Sequence, residues 1–270
     1  MHTEQRMPAL GAKDIGRYPF RPLTALQAFR TLAANKEDTL QVFRIIRAMS
    51  GHSLAKQYAR LLRSPEGGRQ AYLRGEFADR LQDRAWLAQF APGSVGERYC
   101  RFIAPRALSA YGLADESRKL GEQDIDAAHP ISWYVRRQRD VHDVWHVLTG
   151  HGTDALGEAC VIAFTFGQTG NPALAFLALA AAVELKRNHR GSPYFACVHE
   201  AWRLGRRAAW LPALDYEALF AEPLAEARAR LGVLCPSTYL SMPLEARNAY
   251  RYPAESIDGG FWSDAMPGTR

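Results

Sequence analysis

The sequence predicts an all-α fold, a helical bundle. Apolar residues recur at three- and four-residue spacing, as in Val42, Ile45, Ile46 and Met49, with Arg44 and Arg47 off that face. This is the period of a half-buried helix. Helix-start chemistry recurs as well: Ser64-Pro65-Glu66 offers a cap, a proline at the first helical position and an acid in the first turn. No convincing series of alternating strands is present.

The elements follow in order. Residues 1–22 read as an N-terminal arm. Leu23 to Ala34 is the first helix, because Leu23, Leu26, Phe29 and Leu32 are out of phase with strand alternation. The polar run Asn35 to Asp38 breaks and restarts the chain with cap-type residues. The second helix, carrying Val42 to Met49, ends at Ser50-Gly51, and Ser53 to Leu62 makes a third. Helical text then runs from Pro65 through Phe90. Ala91-Pro92-Gly93-Ser94 is a turn, and Val95 to Phe102 a helix. Residues 104–126 are polar and mixed, a loop with a helical patch. His129 precedes Pro130 and so avoids the α region; the next helix runs from about Ile131 to Leu148.

A turn at Gly150–Thr153 leads into a helix from Asp154 to Phe166, which Gly167–Pro172 ends. Pro172 to Asn188 is the most apolar helix. Its Ala173–Val183 stretch of 11 residues carries no polar side chain, short of the roughly 18–20 residues that span a bilayer. It reads as a buried core helix, as the wall of a pocket for an apolar tail, or as a shallow membrane contact. Cys197 to Trp210 and Asp215 to Leu231 complete the helices. Residues 241–270 contain Pro243, Pro253 and Pro267 and read as a loosely ordered tail. That leaves 23–240 as a single helical domain.

Composition sets outer bounds. A 270-residue chain with 47% hydrophobic and 11% aromatic residues buries a sizeable core. Cys100, Cys160, Cys197 and Cys235 form no CxxC pair, which argues against a zinc knuckle or a thioredoxin-type site. The net charge is +6, with clusters at Arg136, Arg137 and Arg139, at Lys186, Arg187 and Arg190, and at Arg203, Arg206 and Arg207. These read as solvated faces, or as an attraction to anionic lipid or an acidic substrate. No nucleic-acid motif accompanies them, so no nucleic-acid partner is expected. The N-terminus has no apolar signal-peptide core, and Pro8 and Pro19 interrupt any targeting helix.

The chemistry concentrates in VHDVWHVLTGHGTDALGE, Val141 to Glu158. His142 and His146 are four apart and share one helix face. Asp143 is turned about 100° from His142, where it either reaches a common ion from the flank or orients a histidine. Glu158 lies twelve residues past His146, about 18 Å along a continuous helix. Gly150 and Gly152 break that path, so a second helix can fold back and bring Glu158 to the pair. A metal site and a set of satisfied core residues both fit this pattern. His151, in the turn, reads as exposed rather than as support for a ligand. His189 and His199 read as structural. Glu184, on the apolar helix, pairs with a core arginine or faces the site.

HDVWH, eleven residues and then Glu158 resembles the HDxxH-x11-E signature of the coenzyme Q biosynthesis protein 4 family. The surroundings are similar in the same order: PEGGRQ at 65–70, APGSVGERY at 91–99, FGQTGNPALA at 166–175, AWRLGRRA at 201–208 and ARARLGV at 227–233. The resemblance runs from about residue 22 to 238. It implies a metal set of His142, Asp143, His146 and Glu158, with the same residues catalytic. Zinc is the implied ion; the donor set suits iron, manganese or cobalt too, and is poor for copper(I). The implied function is metal-dependent oxidative decarboxylation in ubiquinone synthesis, in which the carboxyl of a polyprenylated hydroxybenzoate ring is replaced by hydroxyl. The implied partners are that precursor, the membrane surface, other ubiquinone-biosynthesis enzymes and further copies of the chain in a homo-oligomer. The implied place is the cytoplasmic side of a bacterial inner membrane, held peripherally. Two rivals stand beside this: a non-catalytic prenyl-lipid-binding scaffold, and an HD-type phosphohydrolase. The second lacks a role for His146 and Glu158, and His129 is a poor upstream ligand for it.

Overall fold

In a computed structural model, residues 15–34, 38–104 and 128–248 are described, and among them every regular element is helical. The expected helical patch within 104–126 and most of the tail fall outside the described residues.

The first four helices are α1 (Pro22–Ala34), α2 (Thr39–Met49), α3 (Ser53–Leu62) and α4 (Pro65–Leu73). The cap read at Ser64 is present: its hydroxyl accepts from the Gly67 amide at 3.1 Å. The predicted helical run through Phe90 divides further into α5 (Phe77–Gln82) and α6 (Arg84–Ala88). The break falls at Asp83, whose carboxylate turns to cap α6 by accepting from Trp86 N–H. α7 (Val95–Ile103) follows, capped by Ser94.

The helix expected over Ile131–Leu148 is two helices. α8 (Pro130–Asp140) and α9 (His142–Thr149) meet at Val141, whose φ of −88° and ψ of −1° interrupt the regular turn. α10 (Ala155–Thr169) runs past Gly167, where an end was expected. Gly167 stays helical because it is a contact, not a stop. α10 packs most extensively on α12 (Tyr194–Arg207). A Cβ on Gly167 would run into the α12 backbone, and one on Gly205 would collide with the Phe164 carbonyl. The two backbones touch only because both residues lack a side chain.

α11 (Pro172–Asn188) lies where the sequence put it, with Asn171 capping its first turn. It is a core helix on one face: Ala173 and Leu177 join α1 and α2, and Ala178, Ala182 and Leu185 join α10 and α12. Leu179 and Val183 face solvent. The stretch read as one helix over Asp215–Leu231 is α13 (Tyr216–Ala221) and α14 (Leu224–Leu231), parted at Pro223, which has no amide hydrogen to carry the ladder on. α15 (Ser237–Leu240) and α16 (Leu244–Arg247) close the described chain. Met242 and Ala246 are buried against α10 and α12, so the tail expected from residue 241 begins with packed structure. No described helix is long and apolar enough to cross a membrane.

The Arg136–Arg139 cluster is not a solvated face. Arg136 pairs with Glu76 at 2.6 Å, and Arg139 with Asp140 at 2.9 Å. Arg137 is buried and donates to the Leu214 carbonyl. Arg203, Arg206 and Arg207 are exposed, as read.

Candidate metal centre

α9 and α10 form the site, joined by a turn with Gly150 left-handed at the end of α9. Three interactions fold the second helix back. Asp154 caps α10 by accepting from Gly157 N–H at 2.8 Å. Tyr239 donates its hydroxyl proton to the other Asp154 oxygen and accepts from Gly152 N–H. Gly157 lies against the Gly152 carbonyl, in space a Cβ would need.

The ligand atoms of His142, Asp143 and His146 lie within 4.8 Å of one another. Glu158 arrives from α10 as the spacing required. Its Oε2 is 3.3 Å from His142 Nε2 and 3.3 Å from His146 Nε2, and the two nitrogens are 3.2 Å apart. A tetrahedral ion with nitrogen and oxygen bonds of about 2.0–2.1 Å separates its donors by about 3.3 Å. The spacing and chemistry of His142, His146 and Glu158 therefore fit ligands of one divalent ion, with Asp143 close enough to the two histidines to join from the flank.

His146 is fully buried, with the Phe102 ring stacked on it at 5.3 Å. Its Nδ1 faces the His151 backbone carbonyl at 3.1 Å. A carbonyl only accepts, so Nδ1 carries the hydrogen, and in the neutral ring Nε2 presents its lone pair to the cluster. In contrast, 31% of the His142 and 41% of the Glu158 side chain is exposed, so the cluster opens on that side.

The charges are coupled. Burial alone would lower the His146 pKa, but the Glu158 carboxylate beside it and the charge of Asp143 raise it above the usual value. Burial likewise pushes Glu158 up, yet the two histidines hold it below the usual carboxylate range. The two shifts have one cause, the attraction between the His146 ring and the Glu158 carboxylate, and a cation between them would meet the same negative charge.

His151 corrects the sequence reading: it is buried, not exposed. Its Nδ1 meets the Thr149 hydroxyl at 2.9 Å, and its ring packs on Tyr239. Burial, with His146 nearby, pushes its pKa down to about 3. Glu184 accepts from Asn188 and pairs loosely with the exposed Arg187 rather than with a core arginine. His189 and His199 are exposed and make local contacts with Ser192 and Trp202.

Two supports escaped the sequence reading. Phe102 had no signal beyond its apolar position. Arg228 is buried on α14 and donates to the Leu148 and Val147 carbonyls at 2.8 and 2.9 Å. It satisfies the C-terminal carbonyls of the helix that bears both histidines.

An all-α protein with a histidine–carboxylate cluster between two helices is the class these features define. The profile of the coenzyme Q (ubiquinone) biosynthesis protein Coq4 matches residues 21–237, and the chain belongs to that family. It is 28% identical over 70% of its length to the rat mitochondrial ubiquinone biosynthesis protein COQ4 homolog, covering 69% of that protein. The human homolog is 27% identical over 71% of this chain and 70% of its own. The crystal structure of a Nostoc punctiforme PCC 73102 protein, provisionally assigned to ubiquinone biosynthesis, shares the fold with a TM-score of 0.57 at 21% identity. That match covers 79% of this chain and 99% of the other.

Proposed function

We propose that this chain is a metal-dependent enzyme of ubiquinone biosynthesis that replaces the ring carboxyl of a polyprenylated hydroxybenzoate by a hydroxyl. The observation that supports it is the convergence of two Nε2 atoms and a carboxylate oxygen at 3.2–3.3 Å, from two helices, beside Asp143. An ion bound there supplies a Lewis acid for the substrate's carboxylate or phenolic oxygen. Zinc is the first choice, with iron, manganese or cobalt compatible with the same donors.

The reaction breaks the ring–carboxyl bond, releases carbon dioxide and forms a carbon–oxygen bond. It removes two electrons from the substrate, so an external oxidant such as dioxygen accompanies it; zinc has no redox chemistry to contribute. The chain's own residues have separate tasks. The His151 carbonyl fixes the His146 tautomer. Phe102 shields that ring from water. Glu158 brings the charge that balances the centre, and its exposed side with His142 is where a ring can approach.

A second reading has its own support. Leu179 and Val183 are exposed one turn apart on α11, and Arg187 and Arg190 follow them on the exposed surface. That pairing of apolar and basic groups suits a prenyl-lipid-binding scaffold that gathers ubiquinone enzymes at a membrane surface.

One experiment separates the two. A deletion strain is complemented with wild type or Glu158→Gln at matched protein levels, and lipids and protein-bound metal are measured by mass spectrometry. The enzyme reading expects lost metal, lost ubiquinone and an accumulated prenylated precursor that keeps its carboxyl. Normal ubiquinone with metal absent overturns it in favour of the scaffold.

A further inference from the structure

α1 carries its bulk on the wrong side for a helix that faces water. Its buried residues are Ala25 and Ala28, whereas Leu23 is 76% and Leu26 38% exposed. A surface helix ordinarily turns its large apolar residues to the core and its polar ones outward. α11 repeats the pattern in part. Ala173, Ala178 and Ala182 are among its buried residues, while Leu179, 55% exposed, and Val183 face out.

The two stripes meet at one seam. Phe29 and Phe176 pack edge to face there, with ring centroids 5.9 Å apart. Leu26 stands one turn before Phe29, and Leu179 and Val183 stand one and two turns after Phe176, so each is a neighbour of its phenylalanine along the helix surface. The exposed apolar side chains of both helices therefore form one belt across the seam. A contiguous patch of this kind with a polar rim marks an interaction surface.

The rim selects the partner. Each stripe ends one turn further on in an exposed arginine, Arg30 after Leu26 and Arg187 after Val183. Arg17 and Arg21 precede α1 and Arg190 follows α11, and all three are exposed. No carboxylate occurs from Ile15 to Ala34 or along α2, and Glu184, the acid on α11, is tied to Asn188 and Arg187. A second copy of the chain on this belt would set arginine against arginine. An anionic lipid surface meets the arginines with the opposite charge, and its acyl boundary takes the leucines and valine. Arginine suits the border between the two, because its stem covers apolar surface while its head stays among the phosphates.

We propose that the α1–α11 belt is a membrane-docking face: Leu23, Leu26, Leu179 and Val183 enter the headgroup–acyl boundary of an anionic bilayer, and Arg30 and Arg187 rest on its phosphates. The proposal takes in the α11 surface of the scaffold reading but requires no gathering of enzymes there, and it depends on no role of the metal centre.

The test is co-sedimentation of the full-length protein with vesicles of phosphatidylcholine alone or mixed with phosphatidylglycerol, at low and high salt. Binding is expected to the mixed vesicles, and it should weaken in high salt and on phosphatidylcholine alone. Leu23→Gln combined with Leu26→Gln should weaken it at least about tenfold, since two leucines no longer leave water. Arg30→Glu should weaken it about fivefold or more, the effect of one basic residue near an anionic surface. Leu62→Gln, at an exposed leucine of α3 outside the belt, should leave it unchanged. All four positions are exposed, so these variants keep the core intact, which thermal unfolding checks. Failure to bind the mixed vesicles, equal binding to phosphatidylcholine alone, or full binding by the double leucine variant overturns the proposal. So does a wild-type oligomer that the double variant breaks, which assigns the belt to a second copy. The assay reads lipid and not metal, so its failure leaves the metal-centre reading standing.

Discussion

The two ends of α10 solve opposite problems. At its C-terminal end the Gln168 side chain is satisfied within the fold. Gln168 donates to the Gly205 carbonyl at 2.5 Å and accepts from Leu211 N–H at 2.8 Å, and Gly167 and Gly205 bring two backbones into contact. At its N-terminal end the Glu158 carboxylate faces two histidines, which already crowd each other. The first end is built for rigidity. The second concentrates mutually dependent polar groups, an arrangement costly to hold without a cation or proton among them. One helix thus anchors itself at one end and presents chemistry at the other.

The largest effect should come from breaking the anchored end. Gly205→Val puts a β-carbon into the space of the Phe164 carbonyl. We expect destabilisation by about 3 kcal/mol or more, seen as a fall in the thermal unfolding midpoint, with metal content lost only as the protein unfolds. A variant that unfolds at the wild-type temperature would mean that the anchor is not one.

The presenting end has a pH signature. His151 is buried with its pKa pushed down to about 3, so the folded state binds its proton less readily than the unfolded chain does. Stability associated with neutral His151 is fully present above about pH 6.5 and falls as pH drops from there toward 3, by about 1.4 kcal/mol per pH unit for this one group. His151→Gln should flatten the slope of urea-unfolding free energy between pH 6.5 and 4. An unchanged slope would place the acid sensitivity elsewhere.

A smaller change sharpens the contrast. Tyr239→Phe removes the hydroxyl shared by Asp154 and Gly152. A loss of about 1–3 kcal/mol is expected, from the buried groups left unmet, together with weaker divalent-metal binding measured by dialysis. Metal affinity that stays at the wild-type level would show that the turn does not set the ligand geometry.

The sequence announced what depends on local spacing. His142 and His146 one turn apart, the glycine turn and Glu158 beyond it are facts of chain geometry, and the structure brings these residues together as that geometry demands. The caps at Ser64 and Asn171 are equally local. What escaped was decided by neighbours distant in the chain. Gly167 reads as a stop until α12 is seen against it. Arg137 reads as surface charge until the Leu214 carbonyl is seen to receive it. His151 sits in a turn, and turns are normally exposed; Tyr239, far along the sequence, covers it. The break at Val141 carries no residue signal at all, whereas Pro223 did signal a break that the 3.6-residue pattern overrode.

Arg228 carries a consequence for the order in which the molecule matures. All four cluster residues precede position 160, yet the guanidinium that ties down α9 and the phenol that ties down its turn come at 228 and 239. A nascent chain therefore displays the complete HDxxH-x11-E string long before it can hold those side chains in place. Under the proposed metal reading, ribosome-bound chains halted before Arg228 should capture a divalent ion poorly, and chains that extend past Tyr239 should capture it well.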